Sequence, residues 1–223
     1  MASSGTTSFN ITIDEVIEEA YERCGVRTNS GHDIKSARRS LNLLFSEWGN
    51  RGINLWKVKS KTETLVNGQV TYDTPSDCND VLEAVVTVSG GTQQTLTKVS
   101  RSEYIAIPNK TSTGTPSQYY VDTQLTPTIS LYLAPDTSAV TNIFYYYLAR
   151  IEDVGAYTNT ADMPFRFFPC MVSGLAFYLS QKIAPDRVQA LKLLYEDELK
   201  RALDEDGQRT SVYITPNVYY PQS

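Results

Sequence analysis

Apolar residues recur at helical spacing in the first fifty residues of the chain. A capping box formed by Thr12 and Glu15 starts the first predicted helix, and Gly25 ends it. Its apolar stripe is Ile13, Val16, Ile17, Ala20 and Cys24. A second stripe, before the turn at 49–52, consists of Ile34, Ala37, Leu41, Leu44, Phe45 and Trp48. The pattern therefore predicts an antiparallel helical hairpin.

Between residues 55 and 149 the helical period disappears, and Thr, Val and Tyr alternate with Gly and Pro turns. We predict strands at 56–65, 69–73, 81–89, 92–99, 118–121, 128–134 and 142–149, and a helical turn at 100–107. The apolar runs 131–133 and 143–148 are typical of central strands. The weaker alternation at 92–99 indicates an edge.

Helical spacing returns after Pro164 and is interrupted at the dipeptide 185–186, which predicts two helices. The first stripe is Phe168, Met171, Val172, Leu175, Leu179 and Ile183, and the second, before the stop at 206–207, is Val188, Leu191, Leu194, Tyr195, Leu199 and Ala202. We expect Leu41, Leu44, Phe45 and Trp48 to pack against Met171, Val172, Leu175 and Leu179.

This order of elements predicts an α+β fold. Two N-terminal and two C-terminal helices would form a discontinuous bundle, with a mainly antiparallel β domain inserted between them. The predicted domains are a helical bundle over 1–54 and 150–207, a β domain over 55–149 and an extended C-terminal arm over 208–223.

Composition narrows the class of protein further. The 223 residues carry a net charge of −5, which does not suit a protein that grips phosphate backbones. Three separated cysteines, Cys24, Cys78 and Cys170, indicate a reducing compartment and small core residues, not a disulfide framework or structural zinc. Without a signal-like N-terminus or an apolar run of ~20 residues, we expect no secretion by that route and no membrane insertion.

Catalytic motifs are missing from the sequence. It has no phosphate loop, nucleophile elbow or zinc-protease motif, and its one histidine, His32, lies in a polar turn at a helix start, where capping is the better interpretation. A paired-acid glycosidase is formally possible, although each candidate acid adjoins a turn signal. The candidates are Asp73, Asp77, Asp80, Glu83, Asp122 and Asp136. We expect no enzyme, no cofactor and no metal site.

Tyrosine is unusually frequent, with 15 residues. On strands, aromatic pairs usually stabilise the sheet, but an aromatic C-terminal arm cannot form a core alone. Its apolar side chains are Val212, Tyr213, Ile214, Val218, Tyr219 and Tyr220. We favour docking of this arm on another subunit over folding onto its own domain.

Five segments, in this order, resemble the head-tail adaptors of short-tailed bacteriophages, including the tail tubular protein A group of T7-like phages. They are 36–58 (SARRSLNLLFSEWGNRGINLWKV), 66–86 (VNGQVTYDTPSDCNDVLEAVV), 100–122 (SRSEYIAIPNKTSTGTPSQYYVD), 126–136 (TPTISLYLAPD) and 163–187 (MPFRFFPCMVSGLAFYLSQKIAPDR). The hairpin, Trp48, the turn 49–52 and Trp56 look like the start of that family, and 164–186 looks like its returning helices. The large β insertion departs from the shorter, mostly helical adaptors of other short-tailed phages.

The resemblance implies a structural virion protein, assembled in the host cytoplasm and located at the portal-tail vertex. Twelve copies would form a ring between the portal protein and a tail nozzle protein similar to tail tubular protein B. The helical part would face the portal, the C-terminal arm would dock on it, and the β part would face the nozzle and neighbouring adaptors.

Double-stranded DNA would pass through such a ring without specific binding. The basic residues that could face this channel are Arg38, Arg39, Lys57, Lys59 and Lys61. The three lysines alternate along the first predicted strand and should share one face, although a solvated face that resists aggregation explains them somewhat better. The competing class is a carbohydrate-binding or glycan-cleaving tail protein, because exposed Tyr and Asp on a β segment can bind sugars.

Overall fold

The computed structural model describes residues 5, 10–27, 31–51, 55–156 and 158–206. Its elements follow the order α, β, α, so the predicted α+β class is confirmed. The helices of the described chain are α1 (Ile13–Cys24), α2 (Gly31–Asn50), α3 (Arg101–Ala106), α4 (Phe168–Ile183) and α5 (Val188–Asp206). The strands are β1 (Val58–Thr64), β2 (Thr71–Asp73), β3 (Cys78–Val88), β4 (Gln93–Thr95), β5 (Thr97–Lys98), β6 (Thr113–Gly114), β7 (Gln118–Asp122), β8 (Thr128–Tyr132), β9 (Ala134–Pro135) and β10 (Val140–Ala149).

Both ends of α1 form as the sequence predicts. The Thr12 hydroxyl accepts the backbone N–H of Glu15, and the Glu15 carboxylate accepts the Thr12 N–H at 2.7 Å. These hydrogen bonds lower the pKa of the Glu15 carboxyl. Gly25 then adopts a left-handed conformation, with φ of 77°, and its N–H donates to the Glu22 carbonyl, which ends the helix.

Helix α4 lies at the centre of the helical part, in contact with α1, α2 and α5. Its Gly174 lies so close to α2 and α5 that a Cβ atom there would be 2.8 Å from Leu44 and 2.9 Å from Tyr195. On the α1 side, the Cys24 thiol donates to the Ala176 carbonyl at 3.3 Å. The predicted contact set is confirmed, because all eight side chains are buried in one cluster: Leu41, Leu44, Phe45, Trp48, Met171, Val172, Leu175 and Leu179.

The β part is built from two four-stranded sheets that pack face to face. The first has the order β1-β10-β3-β4 and is antiparallel throughout. The second has the order β2-β8-β7-β5, and only its β5–β7 pair is parallel. Alternate side chains of both sheets form one buried core, which includes Ala84, Val86, Ile143 and Tyr145 from the first and Tyr119, Ile129 and Leu131 from the second.

Strand positions inside the sheets agree with the sequence pattern. The apolar strands β8 and β10 are central, as predicted. The run 92–99 lies at an edge but forms two strands, because the chain leaves the first sheet at β4 and joins the second at β5. A small parallel pair, β6 with β9, was not predicted from the sequence.

Two separate buried clusters underlie the two parts of the molecule. One contains residues between Ile13 and Trp48 together with residues between Val154 and Ala202. The other contains residues between Leu65 and Ala149. We therefore propose the division into a helical domain (1–54 and 150–207) and an inserted β domain (55–149).

Candidate functional site

The five basic residues singled out in the sequence lie in different environments. Arg38 points inward, and its guanidinium donates to the carbonyls of Val154, at 3.2 Å, and Gly155. Arg39, on the same helix, is exposed. Only one of these two adjacent arginines therefore presents its charge to solvent.

Lys57 does not share a strand face with the other two lysines, which corrects that part of the sequence prediction. It lies in a 3₁₀ turn (Leu55–Lys57) before β1, its side chain is 3% exposed, and it forms an ion pair with Asp162. Burial lowers the pKa of Lys57, while the carboxylate of Glu152 acts in the opposite direction. The strand begins at Val58, two residues later than the predicted 56, and this leaves Lys57 in the interior.

Lys59 and Lys61 do lie on one face of β1, as period two requires. They stand opposite Tyr147 and Tyr145 of β10, so they are on the side of the sheet that faces the second sheet. Each forms an ion pair, Lys59 with Asp77 at 2.9 Å and Lys61 with Glu63 at 2.7 Å. The Asp77 hydrogen bond raises the pKa of Lys59. Inward-facing charges of this kind protect an edge strand from pairing with other chains.

The apolar residues of the C-terminal arm, Val212, Tyr213, Ile214, Val218, Tyr219 and Tyr220, lie outside the described residues. The structure does describe the helix before the arm. Asp206, the last residue of α5, is 4% exposed at its side chain and is held by the guanidinium of Arg166.

Most of the tyrosines of the β part stabilise the sheets. Tyr119 and Tyr145 are each 1% exposed, and Tyr120 stacks on Tyr104 of α3 with 5.3 Å between ring centroids. Tyr146 differs, because it is 45% exposed on the outer face of the first sheet, where its ring meets the edge of Phe144 at 5.1 Å. The sequence predicts exposed tyrosines on the β part, and on this outer face Tyr146 is the one that is exposed.

Several of the candidate carboxylates of the β part have structural partners. Asp77 and Asp80 pair with Lys59 and Lys98. Asp136 accepts the hydroxyl and the backbone N–H of Ser138, which is turn chemistry. Among the residues that the structure describes, no three His, Cys, Asp or Glu side chains converge in a way that could hold a metal ion.

The three cysteines are free and buried, as predicted for core residues. Burial raises the pKa of the Cys170 thiol to about 12, so this thiol is unreactive at neutral pH. Within the described ranges, no helix is both long enough and apolar enough to cross a membrane.

The surface of the helical part carries two grooves. One, of about 490 Å³, runs between α2 and the chain that returns from the β part, and its polar lining includes Asn42, Ser46 and Arg150. The other, of about 700 Å³, lies between α1 and the start of α4 and is lined by Ile11, Phe165 and other side chains. Phe165 is 70% exposed at its rim.

A further set of surface charges combines Arg39 with three residues that were not singled out in the sequence, Glu18, Glu22 and Lys35. Glu18 and Glu22 are exposed on α1, and Lys35 and Arg39 are exposed on α2. The signal that could have found them is charge patterning, since both pairs are spaced four residues apart on predicted helices.

These features describe a scaffold whose exposed surfaces suit contacts with other proteins. In agreement, the family model described as SU10 adaptor protein matches residues 12–219. The chain therefore belongs to the SU10 adaptor protein family, and it is a structural phage adaptor of the head-tail class and a component of the virion. Membership implies association with phage portal and tail components. No curated protein matches the sequence.

Proposed function

We propose that twelve copies of this protein form a ring that joins the portal protein to the tail nozzle and surrounds the path of the DNA. The supporting observation is the extent of the family match, which covers the helical part, the β part and most of the C-terminal arm. The segments that resemble the tail tubular protein A group favour a short-tailed, T7-like phage. The nozzle partner would then be similar to tail tubular protein B, and the ring would assemble in the host cytoplasm.

The C-terminal arm, residues 208–223, is the proposed portal-docking element. Its six apolar side chains need burial, and the ion pair between Asp206 and Arg166 holds the last described residue of α5 against the helical part. Tyrosine is well suited to such docking because it buries a large area at a small cost in conformational entropy.

Deletion of 208–223 tests the docking proposal. The truncated protein should remain folded and soluble but should no longer join the portal, as seen by electron microscopy of the two proteins mixed together. Substituting Tyr213, Tyr219 and Tyr220 with Ala should have the same effect, whereas the matched control, with Gln208, Thr210 and Ser211 changed to Ala, should assemble. Normal assembly of the truncated protein on portals would show that the arm hypothesis is wrong.

For the DNA path we propose a passive conduit. Four of the five candidate basic residues already have partners within the chain: Arg38, Lys57, Lys59 and Lys61. They are therefore poorly placed to bind phosphate, and the proposed ring does not need them to do so.

A carbohydrate-binding tail protein is the second candidate, supported by Tyr146 on the open outer sheet face. A flat aromatic ring of this kind can stack on a sugar. Assembly distinguishes the two proposed functions. A glycan-binding protein should bind or cleave its glycan as a free monomer and should not need the portal.

A further inference from the structure

Two exposed helix faces of the helical part carry opposite charges. On α1, Glu18 and Glu22 form an acidic stripe, followed by Val26, which is 38% exposed. On α2, Lys35 and Arg39 form a basic stripe, followed by Leu43, which is 57% exposed. In both stripes the charges are four residues apart, and an exposed apolar residue follows four residues later.

These four charges are not neutralised inside the part of the chain that the structure describes. Arg23, the cation on α1, pairs with Glu19 at 3.0 Å and lies 3.8 Å from Glu198. Arg38, the neighbour of Arg39, is turned inward to backbone carbonyls. Like charges one helical turn apart repel each other, and an oppositely charged partner would remove this cost.

The two stripes lie on different helices that approach α4 from different sides. Cys24 of α1 contacts the Ala176 carbonyl, whereas Ser40 of α2 accepts a hydrogen bond from Lys182 at 2.7 Å. Each helix turns its charged stripe away from these contacts, toward solvent. Two complementary, non-identical surfaces on one chain are what a head-to-tail contact between copies requires, and such contacts form a ring when the rotation from one copy to the next closes.

We propose that the acidic stripe of one copy binds the basic stripe of the next copy around the ring. This inference rests on the proposed ring and names the surface that joins its neighbours. Four residues of helix span about 6 Å, so a parallel approach of α1 to α2 brings both charge pairs together in one register. Glu18 then meets Lys35, and Glu22 meets Arg39.

Charge reversal on one stripe at a time tests this pairing. Variant A carries Glu18→Lys and Glu22→Lys, so both of its stripes are basic. Variant B carries Lys35→Glu and Arg39→Glu, so both of its stripes are acidic. Neither should form rings alone on portals, because each neighbour contact would bring like charges together.

Mixing variants A and B in equal amounts should restore rings, since every contact in an alternating A-B ring joins a basic stripe to an acidic one. Twelve subunits allow this alternation because the number is even. A quadruple variant with both stripes reversed should form rings by itself. Electron microscopy of portal mixtures and sedimentation measure the assembly, and thermal melting confirms that the substitutions of these exposed residues leave the fold intact.

A matched control carries Glu83→Lys and Asp122→Lys in the β part, which change the net charge by the same amount as variant A, and it should assemble. Failure of the wild type to form rings would contradict the proposed function itself. If the wild type assembles and variants A and B also assemble alone, or if the A-B mixture stays inactive, the stripes do not pair with each other. Loss of assembly in only one variant would instead indicate that this stripe binds the portal.

If a reversal variant fails to melt like the wild type, neutral variants provide the same comparison. Glu18→Gln with Glu22→Gln, and Lys35→Gln with Arg39→Gln, should each weaken ring formation and reduce its sensitivity to salt. Unchanged salt sensitivity in both neutral variants would overturn the inference.

Discussion

Trp48 connects α2 to α5 and to the segment just before α4 through one buried side chain. It is fully buried, its ring lies 5.9 Å from that of Phe167, and its indole N–H donates to the Tyr195 hydroxyl at 2.9 Å. Helical spacing alone predicted its burial. The hydrogen bond to Tyr195 could not be predicted, because it depends on the relative positions of α2 and α5, which the spacing within each helix does not contain.

We predict that Trp48→Ala lowers the free energy of unfolding by about 3–5 kcal/mol, the range for removing a large buried aromatic side chain. Chemical denaturation followed by circular dichroism measures the change. Leu43→Ala is the control on the same helix, and it should change stability by no more than about 0.5 kcal/mol because Leu43 is exposed. An unchanged melting temperature for Trp48→Ala would contradict the role of Trp48 in the core.

The packing of α4 against its neighbours depends on the absence of a side chain at Gly174. A Cβ atom there would lie 2.8 Å from Leu44 and 2.9 Å from Tyr195, closer than ordinary contact. Gly174→Ala should therefore destabilise the protein by about 1–3 kcal/mol through overpacking, in spite of the better helix propensity of Ala. Thermal and chemical denaturation measure the effect.

Gly49, near the end of α2, is the matched control for this substitution. A Cβ atom at Gly49 would meet nothing within 4 Å, so Gly49→Ala should stabilise the protein by up to about 1 kcal/mol through helix propensity alone. Equal effects of the two substitutions, in sign and size, would show that close packing at Gly174 does not limit the approach of the helices.

The strands show where sequence patterns stop being informative. The short apolar runs 131–133 and 143–148 predicted the central positions of β8 and β10, each of which pairs with a strand on both of its edges. The split of 92–99 into β4 and β5 was not predictable. Leu96, buried between the two strands, fits an ordinary alternating strand equally well, and nothing local to the sequence specifies that the strand partner changes there.

The positions of the three lysines were only partly predictable for the same reason, because local patterns do not specify tertiary contacts. Period two correctly placed Lys59 and Lys61 on one face, but the chain becomes extended only at Val58, so Lys57 enters the interior instead. The ion-pair partners Asp77 and Asp162 are distant in sequence, and tertiary structure alone brings them to the lysines. The partners of charged side chains are therefore harder to predict from the sequence than the burial of the apolar stripes.

At the scale of the whole molecule, net charge determines whether the proposed ring attracts or repels the DNA phosphates. Each chain carries −5, so twelve copies would carry −60 formal charges around one channel. Phosphate entering such a ring is repelled unless cations are gathered on its inner wall. Lys59 and Lys61, the two strand lysines, are already paired with carboxylates and are therefore not free to bind DNA. This repulsion suits a conduit, because an adhesive wall would slow the passage of DNA.

We therefore predict that the isolated protein shows no tight binding to duplex DNA in gel-shift and filter-binding assays at moderate salt. Asp77→Asn releases Lys59 from its ion pair and removes one negative charge, so it should increase any weak binding, and that increase should disappear as salt rises. The control Asp122→Asn removes the same charge without releasing a lysine. Sub-micromolar affinity of the wild type with a steep salt dependence would contradict the passive conduit and indicate that the protein clamps DNA. A steep dependence on salt reports the release of counterions by many simultaneous phosphate contacts.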